Sequence, residues 1–215
     1  MSFSRSLAAL LLVTVSWPVP LTAQAAGGGR RPPGATPLPR VRIMTALGDI
    51  ELEVDTVRAP ITGNNFLRYV DGRFFHGGRF VRTVRDDNQP KDSVRIAVIQ
   101  AIIDPARSSE QFPAIPLERT SVTGVTHVDG AISMGRLGPD TAQSSFFICV
   151  GAQPALDFGG GRQPDGEGFA AFGRVVGGMD VVRVIHGSPS AEQRLTPAIA
   201  IDSIVRAPSP GSATR

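Results

Sequence analysis

The sequence predicts a mainly β domain, and three observations lead to that prediction. Gly and Pro are abundant, with 24 and 18 residues in a chain of 215, which indicates many turns and suits a barrel or sandwich better than a helical bundle. Residues 49–54 alternate acidic and apolar side chains, which is the period of a strand with one wet face. Residues 131–134 and 146–150 are apolar runs around a polar loop, and apolar residues on both faces of the second run favour buried strands.

Composition allows one core and argues against several classes of partner. With 215 residues, 41% of them hydrophobic, the chain can bury one good core. The formal net charge is +3, yet Lys91 is the only lysine and the arginines form no cluster, so we predict no nucleic-acid partner. The lone Cys149 excludes an intramolecular disulfide, and its apolar setting favours a small buried residue over a reactive thiol. The three histidines lack metal-ligand spacing, so we predict no metal site.

Residues 1–25 have the pattern of a secretory signal peptide. Arg5 precedes an apolar run at residues 7–15, and Ala23-Gln24-Ala25 supplies the small residues of a cleavage site. An uncleaved anchor is the alternative, but the run is shorter than the ~20 residues that a span needs. We therefore expect export to the periplasm or the medium, with no stable membrane insertion after cleavage.

The remaining chain divides into a linker, one domain and a tail. Residues 26–39 are rich in Gly, Pro and Arg and predict a flexible linker. Residues 40–207 contain no further long linker or internal repeat, so we expect a single, monomeric domain. Residues 208–215 predict a disordered tail.

Local patterns predict the elements of this domain. Residues 41–54 form a hairpin, and a helix begins at Pro60 and ends at Gly72. A second helix at residues 179–185 has Val181, Val184 and Ile185 on its buried face. Further strands are expected at residues 79–82, 94–99, 168–175 and 197–205. The polar segment 86–90 predicts a surface loop.

The central stretch resembles a known family. The sequences S-M-G-R at 133–136, G-P-D-T at 138–141 and S-S-F-F-I-C at 144–149 are similar to the cyclophilin signature, S-M-A-N or M-A-R followed by G-P-x-T and S-Q-F-F-I. The likeness extends over about residues 41–205. It implies a closed eight-stranded antiparallel β-barrel capped by two α-helices, and a peptidyl-prolyl cis-trans isomerase of the exported bacterial branch.

Rotation about an X-Pro bond requires little of a catalyst except binding. The barrier of ~18–20 kcal/mol comes from amide resonance, so no nucleophile, metal or cofactor is needed. An apolar cup, a fixed cation and a handle for the peptide backbone suffice. The resemblance of residues 79–82 to the family's F-H-R strand implies that Arg82 is the catalytic cation, against the alternative of a surface arginine. It implies substrate binding by Ala97, Val98, Gln100, Gly135, Arg136, Phe147, Leu156 and Phe169.

The chain also departs from the family pattern. About ten extra residues separate Arg82 from Gln100, and Gln100 is followed by Ala101 and Ile102 instead of two glycines. Ala155 stands where many members have Trp, which implies weak cyclosporin binding, and Phe169 stands where they have His. We predict an isomerase that acts on proline-containing polypeptides. Two alternatives stay open: a non-catalytic peptide-binding module or chaperone, and an envelope-anchored structural protein.

Overall fold

The computed structural model describes residues 37–90 and 92–208. The predicted signal peptide, residues 26–36 of the predicted linker and residues 209–215 of the predicted tail lie outside these ranges. Leu38 is already buried, and the Pro39 carbonyl accepts a hydrogen bond from the Val54 amide at 2.9 Å. The last residues of the predicted linker therefore pack on the domain.

The described residues form one antiparallel sheet of ten strands and three α-helices. Its hydrogen-bonded order is β10-β1-β2-β7-β5-β6-β4-β3-β9-β8. The strands are β1 Arg40–Thr45, β2 Gly48–Val54, β3 Arg79–Val84, β4 Val98–Ile102, β5 Ala131–Met134, β6 Phe146–Cys149, β7 Ala171–Gly177, β8 Ser190–Ala191, β9 Arg194–Ala200 and β10 Ser203–Ala207. The helices are α1 Pro60–Asp71, α2 Thr120–Thr123 and α3 Met179–His186.

The mainly β, antiparallel architecture is confirmed, but the expected closed eight-stranded barrel is not. Hydrogen bonding leaves β10 and β8 as edges among the described strands. The predicted closing strand at 197–205 is two strands: β9 pairs with β3, and β10 pairs with β1. They separate because the Ile201 amide donates to Gly78 O at 2.8 Å, whereas the Asp202 amide donates to Met44 O at 2.9 Å. The chain between β9 and β10 thus connects the part of the sheet that contains β3 with the part that contains β1.

The strand expected at residues 94–99 begins later and ends later, as β4. The Ile96 amide donates to the Gln89 side chain at 3.2 Å, and the Ala97 amide donates to the Gln153 side chain at 3.1 Å. Side chains therefore replace a neighbouring strand as the partners of these amides, and regular pairing starts only at Val98.

Helices α1 and α3 pack on the sheet. In α1, Phe66, Tyr69 and Val70 are buried as predicted, and the helix ends at Asp71 with Gly72 as its C-cap. The Phe66 ring lies 5.2 Å from both the Phe146 and Phe172 rings. This contact places α1 over the inner face of β6 and β7.

The predicted face of α3 is corrected at one position. Val181, Val182 and Ile185 are buried, but Val184 is 55% exposed. The apolar stripe follows i, i+1 and i+4, which is also a single face of a helix. Spacing alone did not distinguish the two stripes. The short helix α2 was not predicted.

Two further properties concern the described residues alone. None of their helices combines the length and the apolar character that crossing a bilayer requires. Nor do residues 37–90 and 92–208 contain three or more His, Cys, Asp or Glu grouped so that they could hold a metal ion. Cys149 is buried, and this burial raises the pKa of its thiol far above the ordinary value, which keeps it protonated.

Candidate active site

A row of four residues crosses four strands of the sheet. Arg82 on β3 lies opposite Gln100 on β4, Gln100 lies opposite Phe147 on β6, and Phe147 lies opposite Ser133 on β5. Residues that lie directly opposite in antiparallel strands share a face. The structure therefore brings together Arg82, Gln100 and Phe147, as the sequence predicted.

A β-bulge at Val81 makes this arrangement possible. The Phe80 side chain points into the core, and alternation along a regular strand would send Arg82 into the core as well. The register shifts between Phe80 and Arg82 in the ladders with both β4 and β9. The extra residue moves Arg82 to the outer face, beside Gln100.

Neutral amides hold the Arg82 guanidinium in place. Its Nε donates to Gln193 Oε1 at 2.9 Å, its Nη2 donates to the same oxygen, and its Nη1 donates to Gln100 Oε1 at 3.3 Å. Burial lowers the pKa of Arg82, and the positive charge of Arg162 lowers it further, although the ordinary arginine value is so high that the group stays charged. Three of its five N–H groups make these bonds, so two remain for a ligand.

A hollow of about 280 Å³ adjoins Arg82, with apolar side chains on one part of its wall and charged and amide side chains on the rest. The Phe147 and Phe169 rings meet edge to face in its wall, with centroids 5.3 Å apart. The lining residues are Arg82, Asp92, Ile96, Val98, Gln100, Gly135, Arg136, Phe147, Leu156, Arg162, Gln163 and Phe169. These include every residue that we predicted for the site except Ala97.

Ala97 does not line the hollow, because Ile96 and Val98 do. Residues two apart in an extended segment point to the same side, and the residue between them points away. Ile96 is larger than Ala97, and it is buried in the same apolar cluster as Phe147. The assignment of Ala97 to the substrate-binding residues is therefore corrected: the branched side chain of Ile96 forms this part of the wall.

Arg136 lines the hollow, but its charge is already paired. Its Nη1 and Nη2 donate to the two carboxylate oxygens of Asp165 at 2.7 and 2.8 Å, and its Nε donates to Gly168 O at 2.7 Å. Its side chain is 1% exposed. The bonds from Arg136 lower the pKa of Asp165 to about 2, with a further contribution from the Glu167 amide. Arg136 therefore stabilises the wall of the hollow and does not supply a free cation.

The Gly168 carbonyl oxygen accepts the hydrogen bond from Arg136 Nε, and Gly168 occupies a position that only glycine suits. Its φ is +65°, and an added Cβ would lie 2.5 Å from the Asp157 carbonyl carbon. The close approach lets the Phe169 amide donate to Leu156 O at 2.9 Å. Two apolar residues of the hollow are tied together in this way.

His127, which the sequence analysis did not assign, supports Phe147 from behind. The two rings are nearly parallel, with centroids 6.0 Å apart. His127 Nδ1 lies 2.7 Å from Asp157 Oδ1, and Nε2 lies 2.9 Å from Ser133 Oγ. No local spacing indicates this contact, because each of the three partners comes from a different segment.

The insert between Arg82 and Gln100 lies at the surface, as predicted for residues 86–90, with Asp86, Asp87 and Pro90 exposed, but it is anchored to the domain at Gln89. Gln89 is 2% exposed, and its Nε2 donates to Ile96 O at 2.6 Å. Arg162 donates to Val94 O at 2.6 Å and to Asp92 at 3.2 Å. The insert thereby brings Asp92 and Arg162 to the rim of the hollow.

Comparisons with known proteins agree with this geometry. Residues 40–206 match the family model described as "Cyclophilin type peptidyl-prolyl cis-trans isomerase/CLD". The chain is 32% identical to a peptidyl-prolyl cis-trans isomerase of Acinetobacter baylyi over 70% of this chain and 73% of that one. It is 33% identical to peptidyl-prolyl cis-trans isomerase A of Dickeya dadantii over 68% of this chain and 70% of the relative.

A solved structure shares the fold. A Cryptosporidium parvum cyclophilin-type isomerase aligns with a TM-score of 0.64 and 21% identity, covering 80% of this chain and 99% of that chain. The match of the family model over most of the domain, together with the identity to bacterial relatives, shows that this chain belongs to the cyclophilin-type peptidyl-prolyl cis-trans isomerases.

Proposed function

We propose that this isomerase accelerates rotation about X-Pro bonds in exported polypeptides without forming any covalent bond to them. The proline ring enters the hollow beside Phe147, and Arg82 stabilises the twisted imide. The observation that carries this proposal is the placement of Arg82, with two N–H groups left for a ligand, at the edge of a hollow whose wall includes Phe147 and Phe169.

The twisted state differs from the ground state at the prolyl nitrogen. Out of conjugation, this nitrogen becomes pyramidal and its lone pair can accept a hydrogen bond, which the planar imide nitrogen does not do. A donor placed there binds the transition state more tightly than either isomer, and only such differential binding lowers the barrier. No proton moves, so a cation that stays charged suits this role.

Gln100 supplies the handle for the peptide backbone. Its Oε1 accepts from Arg82, and its Nε2 donates to Ser145 Oγ at 2.9 Å. Ser145 in turn donates to Ala101 O at 3.1 Å. One side-chain amide thus lies between the cation and a fixed hydroxyl, where its second N–H and its oxygen lone pair can bind the substrate backbone.

Exchange spectroscopy by NMR on a proline-containing peptide tests the proposed activity. The mature chain is expected to accelerate exchange between the cis and trans peaks. Binding of the peptide without faster exchange would instead identify the non-catalytic peptide-binding module or chaperone. Unlike a protease-coupled assay, this measurement reports binding and rate in one sample.

Export is the second part of the proposal, and it depends on the signal-peptide pattern of residues 1–25. We also propose that the exported chain is a monomer. Mass spectrometry of the osmotic-shock fraction and the culture medium should find a chain that begins near Ala26. An intact N-terminus in the cytoplasmic or membrane fraction would contradict export. A sedimentation mass of twice the mature chain would contradict the monomer.

A further inference from the structure

A second, larger groove continues from the hollow on the other side of Arg82. It has a volume of about 1450 Å³, and Arg82 and Asp92 line both cavities. Its walls are β3, the β8–β9 hairpin and the insert that follows β3. A polypeptide with its proline in the hollow can therefore extend into this space, which we call the flanking groove.

Three arginines lie together on the face of the flanking groove. Arg194 on β9 lies directly opposite Arg82 on β3, and Arg79 lies further along β3. Like charges placed directly opposite each other in a sheet are destabilising. Arg79 and Arg194 are exposed, and neither side chain has a hydrogen bond or an ion pair within the described ranges. Arg79 and Arg194 thus bring two unpaired positive charges to the groove that Arg82 also lines.

The acidic residues of the same groove do not neutralise this cluster. Asp87 pairs with Arg85 at 3.1 Å, and Asp92 pairs with Arg162 at 3.2 Å. Glu192, in the β8–β9 turn, is the one groove carboxylate that has no ion pair in the described part of the chain. Three arginines without a carboxylate partner therefore face one free carboxylate.

Strand spacing gives the distance from the hollow to these charges. Arg82 lies two strands from Phe147, and Arg194 lies three strands away. With about 4.8 Å between strands, the separation is roughly 10–14 Å. An extended peptide spans this distance in about three or four residues.

We propose that the flanking groove binds an acidic side chain about three or four residues from the proline, so that this isomerase prefers acidic polypeptide segments. The inference deepens the proposed function, since it presumes that proline occupies the hollow. A carboxylate that enters the groove beside Arg79 and Arg194 gives these arginines the ion-pair partner that they lack among the described residues. The negative charge of Glu192 repels a carboxylate that enters the groove, and it therefore limits the preference for acidic polypeptides.

Matched peptides test the preference. Each has a single proline in a neutral, unstructured sequence and carries either Glu or Gln at the third or fourth position, before the proline in one series and after it in the other. NMR gives both kcat/KM and the dissociation constant at low ionic strength. In one of the two series we expect kcat/KM for the Glu peptide to exceed kcat/KM for the Gln peptide by about threefold to tenfold, as two exposed ion pairs allow. Salt should reduce this ratio because it screens exposed charges.

Single-charge variants identify the residues responsible. Arg79→Gln and Arg194→Gln should each lower the ratio of kcat/KM for the Glu peptide to kcat/KM for the Gln peptide. Glu192→Gln should raise this ratio. Arg73→Gln is the matched control, because Arg73 is also exposed and lies outside both cavities. A ratio of one in both series overturns the inference, and so does a ratio that Arg79→Gln and Arg194→Gln leave unchanged. If no peptide exchanges faster, the proposed function fails, but the ratio of dissociation constants still decides whether the groove prefers acidic segments.

Discussion

Arg82 lies directly opposite Gln100, and its Nη1 donates to Gln100 Oε1 at 3.3 Å although the two lie 18 positions apart in the sequence. On its other side, Gln193 Oε1 accepts from the same guanidinium. Two neutral amides from different strands or turns thus fix one cation without neutralising it.

The first prediction concerns the cation itself. Replacement of Arg82 by Ala should lower kcat/KM about 100- to 1000-fold, the usual effect of removing one preorganised donor. Arg82→Lys should not restore activity, since an ammonium cannot reach both amide oxygens in the planar geometry of a guanidinium. The measurement is NMR exchange on a proline peptide, with a thermal melt to show that the variants are folded. Arg73→Ala serves as the control, and wild-type activity in Arg82→Ala would reject the assigned role.

Gln193 is expected to act through Arg82. With Gln193→Ala the guanidinium loses two of its three bonds, and kcat should fall about 10- to 100-fold because the donor is no longer held in position. KM should change less than kcat. Gln193→Glu retains an acceptor oxygen and should recover part of the loss. Equal losses in both variants would show that the Gln193 contact does not position Arg82.

The buried His127 should matter for stability. His127→Ala removes an aromatic ring behind Phe147 and leaves Asp157 Oδ1 and Ser133 Oγ without this partner. We expect the free energy of unfolding to fall by about 2–4 kcal/mol, as for other buried truncations that break hydrogen bonds. Urea denaturation measures this change. An unfolding free energy within error of the wild type would contradict the supporting role.

Asp165 should make stability depend on acid pH. Its pKa is about 2 in the fold, below the ordinary value of 3.8, so the folded state favours the ionised carboxylate. The resulting stabilisation is complete above the unfolded pKa near 4 and is lost as the pH falls towards 2. Asp165→Asn removes it, so this variant should lose less stability than the wild type between pH 4 and pH 2.

The control for this measurement is Asp202→Asn, which changes an exposed carboxylate that has no ion pair in the described chain. Its unfolding midpoint should follow the wild-type pH dependence more closely than that of Asp165→Asn. Parallel curves for wild type and Asp165→Asn would show that the pair with Arg136 contributes nothing to acid stability.

Features that depend on near neighbours were predictable from the sequence. Alternation in residues 49–54 identified β2, and the spacing of Phe66, Tyr69 and Val70 identified α1, because these patterns reflect the geometry of a single strand or helix. Val184 was assigned wrongly because two stripes of α3 are apolar in sequence and only packing selects one. Similarly, Ala97 was assigned by its position in a motif, whereas the direction of its side chain depends on where the extended segment turns.

Local patterns were enough to predict a mainly β domain, and the central signature was enough to predict the family and most residues of the hollow, because both are properties of short stretches of the chain. Four features became visible only in the folded chain: the Val81 bulge turns Arg82 outward, Gln193 holds it, His127 supports Phe147, and Arg194 faces Arg82. Each of these depends on the register between strands that are distant in sequence. That register is set by the burial of the whole core. No single segment of the sequence specifies it.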